Sequence, residues 1–228
     1  MKRILLSPFS APVFFFVWIL FWMTFPVFLP YQTLEPWAEE TGIISITTYA
    51  SYGIAFIAAL MMRKCFDTRT LKVSYACFVF MLTCLLFREM GIQHWLTSTD
   101  STAIKLRFFT NPNNPAGEKM VVAGLLLLVF GVVAFLAIRY LKYLITGVFK
   151  IETLPWTIGS LGVAGIVCKI ADRIPGHYRK ITQTWMAPEW KIYFTFLEET
   201  TEILLPLFIA LAFIQYGLIK RETISAKR

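Results

Sequence analysis

The sequence predicts an all-α, polytopic transmembrane helix bundle of six spans, and three observations lead to this fold class. Of the 228 residues, 57% are hydrophobic and only 16% are charged, whereas soluble domains are about half apolar and about a quarter charged. The mean hydropathy is +0.63. Apolar segments long enough to cross the ~30 Å hydrocarbon core of a bilayer recur along the chain. This composition argues against a water-soluble globule and excludes a disordered chain.

Six segments have the length and apolar character of a membrane span, and we expect them to form a single domain over 1–228. They are 11–30, 43–62, 71–87, 120–138, 154–170 and 203–219. The first follows a basic start, as secretory signals do, but it is long and aromatic and has no small-residue cleavage site, so we expect a retained helix. In the fifth, Gly159, Gly162 and Gly165 recur every three residues alongside Ala164, and these small residues would allow close helix approach and a central position for this helix. A loosely wound helix with no special role is the alternative.

The charge distribution predicts the orientation, because lysine and arginine are enriched in cytoplasmic loops. With a cytoplasmic N-terminus, 13 of the 22 basic residues but only three of the 14 acidic residues fall on the cytoplasmic side. The net charge of +8 is then explained by topology, and nucleic acid is discounted as a partner. We expect both termini to be cytoplasmic and the outer connections to be 88–119 and 171–201. Within the first connection, 102–109 is predicted to form a short amphipathic helix on the membrane surface.

The outer connections carry most of the ionisable side chains that are suited to chemistry. Both histidines, His94 and His177, lie in them. Pro188 is suited to the first turn of a helix. On that helix Glu198 and Glu202 lie four residues apart, with Glu199 on an adjoining face, and carboxylates this close favour a cation, a proton or an arginine between them. A solvated acidic collar at the end of the last span is the alternative.

An ion-pair network offers a purely structural explanation for part of this charge. Lys169 and Asp172 are three residues apart and can pair within one helix. Arg173 would reach a carboxylate on the last span, and arginine is well suited to bidentate pairing. The four cysteines show neither a disulfide framework nor the spacing of paired metal ligands, and Cys77 and Cys84 are interpreted as small packing residues.

Scattered polar residues in the C-terminal two-thirds of the chain resemble those of a family of uncharacterised bacterial polytopic inner-membrane proteins. The resemblance implies a bacterial inner membrane and a periplasmic polar cluster, and it implies no activity. The residues that carry it are Arg88-Glu89, His94, Asp100, Lys105, Arg107-Phe108, Glu118-Lys119, Lys169, Asp172-Arg173, Pro175-Gly176, Glu198-Glu199, Glu202 and Pro206.

The first functional hypothesis is a metal-assisted membrane enzyme that acts at the periplasmic surface on a lipid or lipid-linked substrate. Imidazole and carboxylate ligands suit a divalent metal such as zinc or iron. Neither an HExxH pair nor a GxSxG elbow is present in the sequence. The candidate catalytic residues are Glu89, His94, Asp172, His177, Glu198 and Glu202. The candidate metal ligands are His94, His177 and Glu202, and the candidate substrate-binding residues are Arg107 and Arg173.

Two alternatives stay open at this point. In one, the chain is a non-catalytic subunit or scaffold whose outer ion pairs are structural, with membrane lipids and other inner-membrane proteins as partners. In the other, it is a proton- or ion-coupled transporter that uses its membrane-level carboxylates as relays. The polar groups lie towards one face of the predicted bundle, which is unfavourable for transport.

Overall fold

The computed structural model describes residues 2–38, 42–92 and 106–225, and within these ranges the chain is helical with no strand. Two short 3₁₀ helices, Phe25–Phe28 and Arg63–Cys65, extend the α-helices that precede them. The α-helices of the described ranges are α1 (Lys2–Leu5), α2 (Ser10–Thr24), α3 (Tyr31–Ala38), α4 (Ile43–Met62), α5 (Arg69–Glu89), α6 (Leu106–Thr110), α7 (Ala116–Phe149), α8 (Thr153–Thr182) and α9 (Pro188–Ser225).

Six of these helices are long and apolar enough to cross a membrane, which confirms the predicted number of spans. They indicate a multi-pass membrane protein. The last three helices, with 34, 30 and 38 residues, extend well beyond the apolar segments predicted from sequence. As a result, most of the predicted connection 171–201 is helical, and only a short turn separates α8 from α9. The predicted helix start at Pro188 is confirmed.

The chain divides into two compact units, Met1–Cys65 with Tyr143–Arg228 and Phe66–Lys142. In the first unit α8 and α9 form an antiparallel hairpin, because Thr157 contacts Gln215 near one end and Cys168 contacts Glu202 near the other. The helices α2, α3 and α4 pack against this hairpin. We call the end of the hairpin that holds Glu202 the acidic end.

Apolar side chains fill the centre of the first unit. One cluster joins Ala164 of α8 to Leu204, Leu205 and Phe208 of α9, and Ala11 of α2 completes it. Gly159, Gly162 and Gly165 are not part of this contact, since no atom of a neighbouring element in the described ranges lies within 4 Å of a Cβ added at any of them. Of the small residues expected to make the close helix approach, Ala164 does so and the three glycines do not. The approach is made by another face of the same helix.

Polar bonds tie the N-terminal turn to the end of the hairpin opposite the acidic end. Gln215 is fully buried and accepts a hydrogen bond of 2.7 Å from the Thr157 hydroxyl. Its amide Nε2 donates to the Leu5 carbonyl at 2.9 Å. The Thr153 hydroxyl donates to the next carbonyl, that of Leu6, at 2.6 Å. These bonds satisfy carbonyls at the end of α1 that have no partner within a four-residue helix.

The second unit contains α5, α6 and the part of α7 up to Lys142. The Tyr140 hydroxyl donates to Ser74 at 2.7 Å and joins α7 to α5. Phe108 of α6 is buried against Val122 of α7, and the Asn114 side chain donates to the Phe108 carbonyl at 2.7 Å. The predicted amphipathic helix 102–109 is described from residue 106 onward, as α6. Residues 93–105 lie outside the described ranges.

Candidate metal centre

Three side chains that are suited to metal binding converge where α8 meets α9 at the acidic end. Cys168 comes from α8, while Glu198 and Glu202 are one turn apart on α9 and so share a face. One ligand atom from each lies within 4.8 Å of the other two. Cys168 and Glu202 are 5% and 6% exposed, and Glu198 is partly buried. A thiol and two carboxyl groups are therefore enclosed together in the helix interface.

Cys168 and Glu202 have a spacing that a shared metal ion would require. Cys168 Sγ lies 3.4 Å from Glu202 Oε1. Zinc bonds of about 2.3 Å to sulfur and about 2.0 Å to oxygen, at a tetrahedral angle, separate the two ligand atoms by about 3.5 Å. The same distance also suits a thiol that donates a hydrogen bond to the carboxylate. The distance is thus compatible with two arrangements: a metal ion bound by both side chains, or a proton shared in a hydrogen bond between the Cys168 sulfur and the Glu202 oxygen.

Charged residues of α8 border this site on one side. Asp172 lies one turn beyond Cys168, and its negative charge repels that of Glu198, whereas the positive charge of Lys169 attracts it. The Asp172 carboxylate accepts from the Lys169 ammonium, which confirms the predicted pair. The same carboxylate oxygen lies 3.8 Å from Arg173 Nε. Arg173 therefore meets a carboxylate of its own helix, whereas the sequence analysis expected it to reach the last span.

His177 does not join Cys168 in the metal-binding group that the described residues form. His177 is exposed and lies nine residues after Cys168 on α8. That spacing is about 13 Å along the axis and about half a turn around it, so its ring is placed on the opposite side of the helix. His94 lies outside the described ranges, and the structure therefore places only Glu202 of the three predicted metal ligands.

The remaining predicted site residues lie in the second unit. Glu89 ends α5, and its carboxylate lies 3.6 Å from the Arg88 guanidinium. Arg107 belongs to α6, and its side chain is outside the described part of the chain. Their roles stay predictions.

Cys168 is the site residue that the sequence analysis missed. No second cysteine lies at a spacing typical of paired metal ligands, so the sequence motifs for metal sites do not include Cys168. A signal was nevertheless present, because the small residues Thr157, Ser160, Ala164, Cys168 and Ala171 recur at spacings of three and four. All five are buried, and together they mark the face of α8 that meets α9. A cysteine on that stripe faces the side chains of α9, and here it contacts Glu202.

Apolar packing separates the acidic end from the buried polar group at the other end of the hairpin. Glu202 and Gln215 are thirteen residues apart, or about 20 Å along α9. The α8–α9 interface between them is filled by Ala164, Leu204, Leu205 and Phe208. This interface is therefore a closed core and not a polar path.

Comparison with known proteins brings no relative to this arrangement. No family model, no curated protein and no solved structure matches the chain.

Proposed function

We propose that the chain is a multi-pass inner-membrane protein that binds a divalent metal between Cys168, Glu198 and Glu202. We propose further that it uses this metal to act on a lipid or lipid-linked substrate at the periplasmic surface, with both termini cytoplasmic. The observation that carries the proposal is the convergence of three ligand atoms within 4.8 Å in a buried helix interface. Carboxylates buried this close need a neutralising partner, and a divalent cation supplies one.

The ligand set favours zinc. A thiolate with two carboxylates matches the sulfur and oxygen ligands that zinc accepts, and hard cations such as Mg²⁺ avoid sulfur. Three protein ligands leave the fourth tetrahedral position for water or substrate, as in catalytic zinc sites. Zinc held there would supply an activated water for hydrolysis. The chain's own part is to enclose the ligands in the α8–α9 interface.

The roles of the surrounding residues are proposed from their positions. Asp172 is the acidic residue of α8 and lies one turn from Cys168. A carboxylate at this position is suited to proton transfer to or from a bound substrate. Arg173 lies 3.8 Å from the Asp172 carboxylate but belongs to the exposed face of α8 that also carries His177, so its role in substrate binding stays a prediction from the sequence. His177, His94, Glu89 and Arg107 remain candidates on sequence grounds alone.

A non-catalytic role is the second candidate, and the Lys169–Asp172–Arg173 ion pairs favour it. In that case the Cys168 thiol donates a hydrogen bond to Glu202, the charges of α8 balance the carboxylates of α9, and the site only joins the two helices. The two candidates differ in a measurable property, namely whether a metal is bound.

Metal analysis of the purified full-length protein tests the proposal. We expect close to one zinc per chain after dialysis, and Co²⁺ substitution should give a thiolate-to-Co²⁺ charge-transfer band. Cys168→Ser should abolish this band, and Glu202→Gln should lower the metal content. The matched controls are Cys77→Ser in α5 and Glu189→Gln at the exposed start of α9, which should retain full metal content.

Each result decides between the candidates. A metal-free protein that takes up neither Zn²⁺ nor Co²⁺ would refute the metal site and leave the structural role. Equal metal loss in the control variants would place the ion elsewhere. Thermal unfolding of every variant in detergent separates loss of a ligand from loss of the fold.

A further inference from the structure

One face of α8 at the acidic end is exposed and carries two parallel stripes of different chemistry. Its isoleucines and its basic residues each recur every fourth position, so each stripe runs along the helix axis. The face borders a shallow groove of about 470 Å³. We call it the α8 basic face, and it consists of Ile166, Lys169, Ile170, Arg173, Ile174 and His177.

The apolar stripe is suited to contact with hydrocarbon. Ile166 and Ile170 are 61% and 56% exposed, on a helix apolar enough to cross a membrane. In a bilayer, isoleucine side chains on such a helix lie against acyl chains. The neighbouring basic residues lie at the same depth on the helix. Their long side chains extend along the helix toward the interface, so the charged groups reach the lipid headgroups.

The basic stripe has excess positive charge and spare hydrogen-bond donors. Lys169 and Arg173 both contact the same oxygen of Asp172, so their charged groups are drawn together. The group of three carries one net positive charge. Lysine has three N–H donors and arginine has five, and single contacts to one carboxylate oxygen leave most of them available. Both side chains are more than 60% exposed.

We propose that the α8 basic face binds the phosphodiester headgroup of an anionic phospholipid from the surrounding bilayer. The phosphate lies between Lys169 and Arg173, where the arginine fork donates two parallel hydrogen bonds. One acyl chain lies along Ile166 and Ile170. This binding needs no metal, so it stands apart from the proposed centre at Cys168 and is tested separately.

Lipid titration of the purified full-length chain in detergent, followed by native mass spectrometry, tests the proposal. The probes are phosphatidylglycerol and phosphatidylcholine with the same acyl chains. We expect phosphatidylglycerol to bind at least about fivefold more tightly, since one basic residue at a membrane surface contributes about that factor. Added NaCl should weaken the preference, because it depends on charge.

Four variants test whether the lipid binds on this face. Lys169→Gln with Arg173→Gln should remove the preference for phosphatidylglycerol, and Arg173→Lys should weaken it, because the charge stays but the fork is lost. Lys191→Gln, an exposed lysine on α9, is the matched control and should bind as the parent does. Cys168→Ser should also retain the preference, whatever its effect on metal content.

Three outcomes would overturn the proposal. One is equal affinity of the parent protein for the two lipids. Another is an unchanged preference in the Lys169→Gln/Arg173→Gln variant, with a thermal unfolding curve like that of the parent. A loss in Lys191→Gln as large as in the double variant would also overturn it, because the attraction would then be general and not specific to α8.

Discussion

Replacing Thr157 with valine should destabilise the protein, because it strands a buried acceptor at the end of the hairpin opposite the acidic end. Valine has nearly the shape of threonine but no hydroxyl. The Thr157 hydroxyl donates to Gln215 Oε1 at 2.7 Å, and both side chains are 0% exposed. Within the described part of the chain, the Thr157 hydroxyl is the hydrogen-bond donor to Gln215 Oε1.

The expected cost follows from how firmly the Gln215 amide is held. Its Nε2 donates to the Leu5 carbonyl at 2.9 Å and lies 3.4 Å from the Ser10 hydroxyl. The amide cannot turn to find another donor without losing these contacts. An unsatisfied buried polar group costs about 1–3 kcal/mol, whereas side-chain hydrogen bonds between membrane helices average about 0.6 kcal/mol with a maximum of about 1.7. We expect a loss of about 1–2 kcal/mol in the free energy of unfolding.

A double-mutant cycle with Gln215→Leu measures the interaction directly. Unfolding by denaturant in mixed micelles gives the free energy of each variant. Once Gln215→Leu has removed the amide, Thr157→Val should cost much less, and the coupling energy should be about 1 kcal/mol. Thr47→Val is the matched control, since its exposed hydroxyl bonds only a carbonyl of its own helix. It should change stability by no more than about 0.5 kcal/mol.

Strict additivity in this cycle would refute the reasoning, because it would mean that the hydroxyl and the amide do not interact in the folded protein. A cost of Thr157→Val equal to that of Thr47→Val would do the same. In either case the packing of α8 against α9 at this end of the hairpin would not depend on the Thr157–Gln215 bond.

Two predictions concern the stability effect of backbone conformation at residues next to helix ends in the first unit. Ile151 has φ of 56° and is the left-handed residue of a Schellman turn, in which Glu152 N–H donates to the Gly147 carbonyl at 2.8 Å; glycine is usual there. Ile151→Gly should therefore raise the free energy of unfolding by about 1 kcal/mol, and an unchanged or lower denaturation midpoint would contradict this. Gly42→Ala should lower that free energy by about 1–3 kcal/mol, because its Cβ would lie 2.5 Å from the Trp37 carbonyl oxygen. A midpoint like that of the parent would show that the backbone at Trp37 and Gly42 can move apart to admit a methyl group.

Local pattern was a good guide to the helices and to pairs within them. The six spans, the helix start at Pro188 and the Lys169–Asp172 pair are all confirmed. Each depends on residues that are near in sequence, where helix geometry alone fixes the distance. The four-residue spacing of Glu198 and Glu202 belongs to the same class, and the structure brings their carboxylates together.

Which face of α8 meets α9 was beyond the sequence analysis. The three glycines and Ala164 looked like one packing face, yet the structure packs Ala164 together with Cys168 and leaves the glycines outside the contact. Periodicity shows that a helix has distinct faces, but in a membrane the lipid is as apolar as a neighbouring helix, so hydrophobicity does not say which face is inside. The choice is made by the fit of side chains from both helices.

By itself, then, the sequence determined the membrane class, the number of spans and the residues that share a face within one helix. Only the tertiary structure decided that Cys168 of α8 joins Glu198 and Glu202 of α9. The physical reason is that a metal site between helices depends on the rotation and offset of one helix against another. No spacing within a single segment records these quantities.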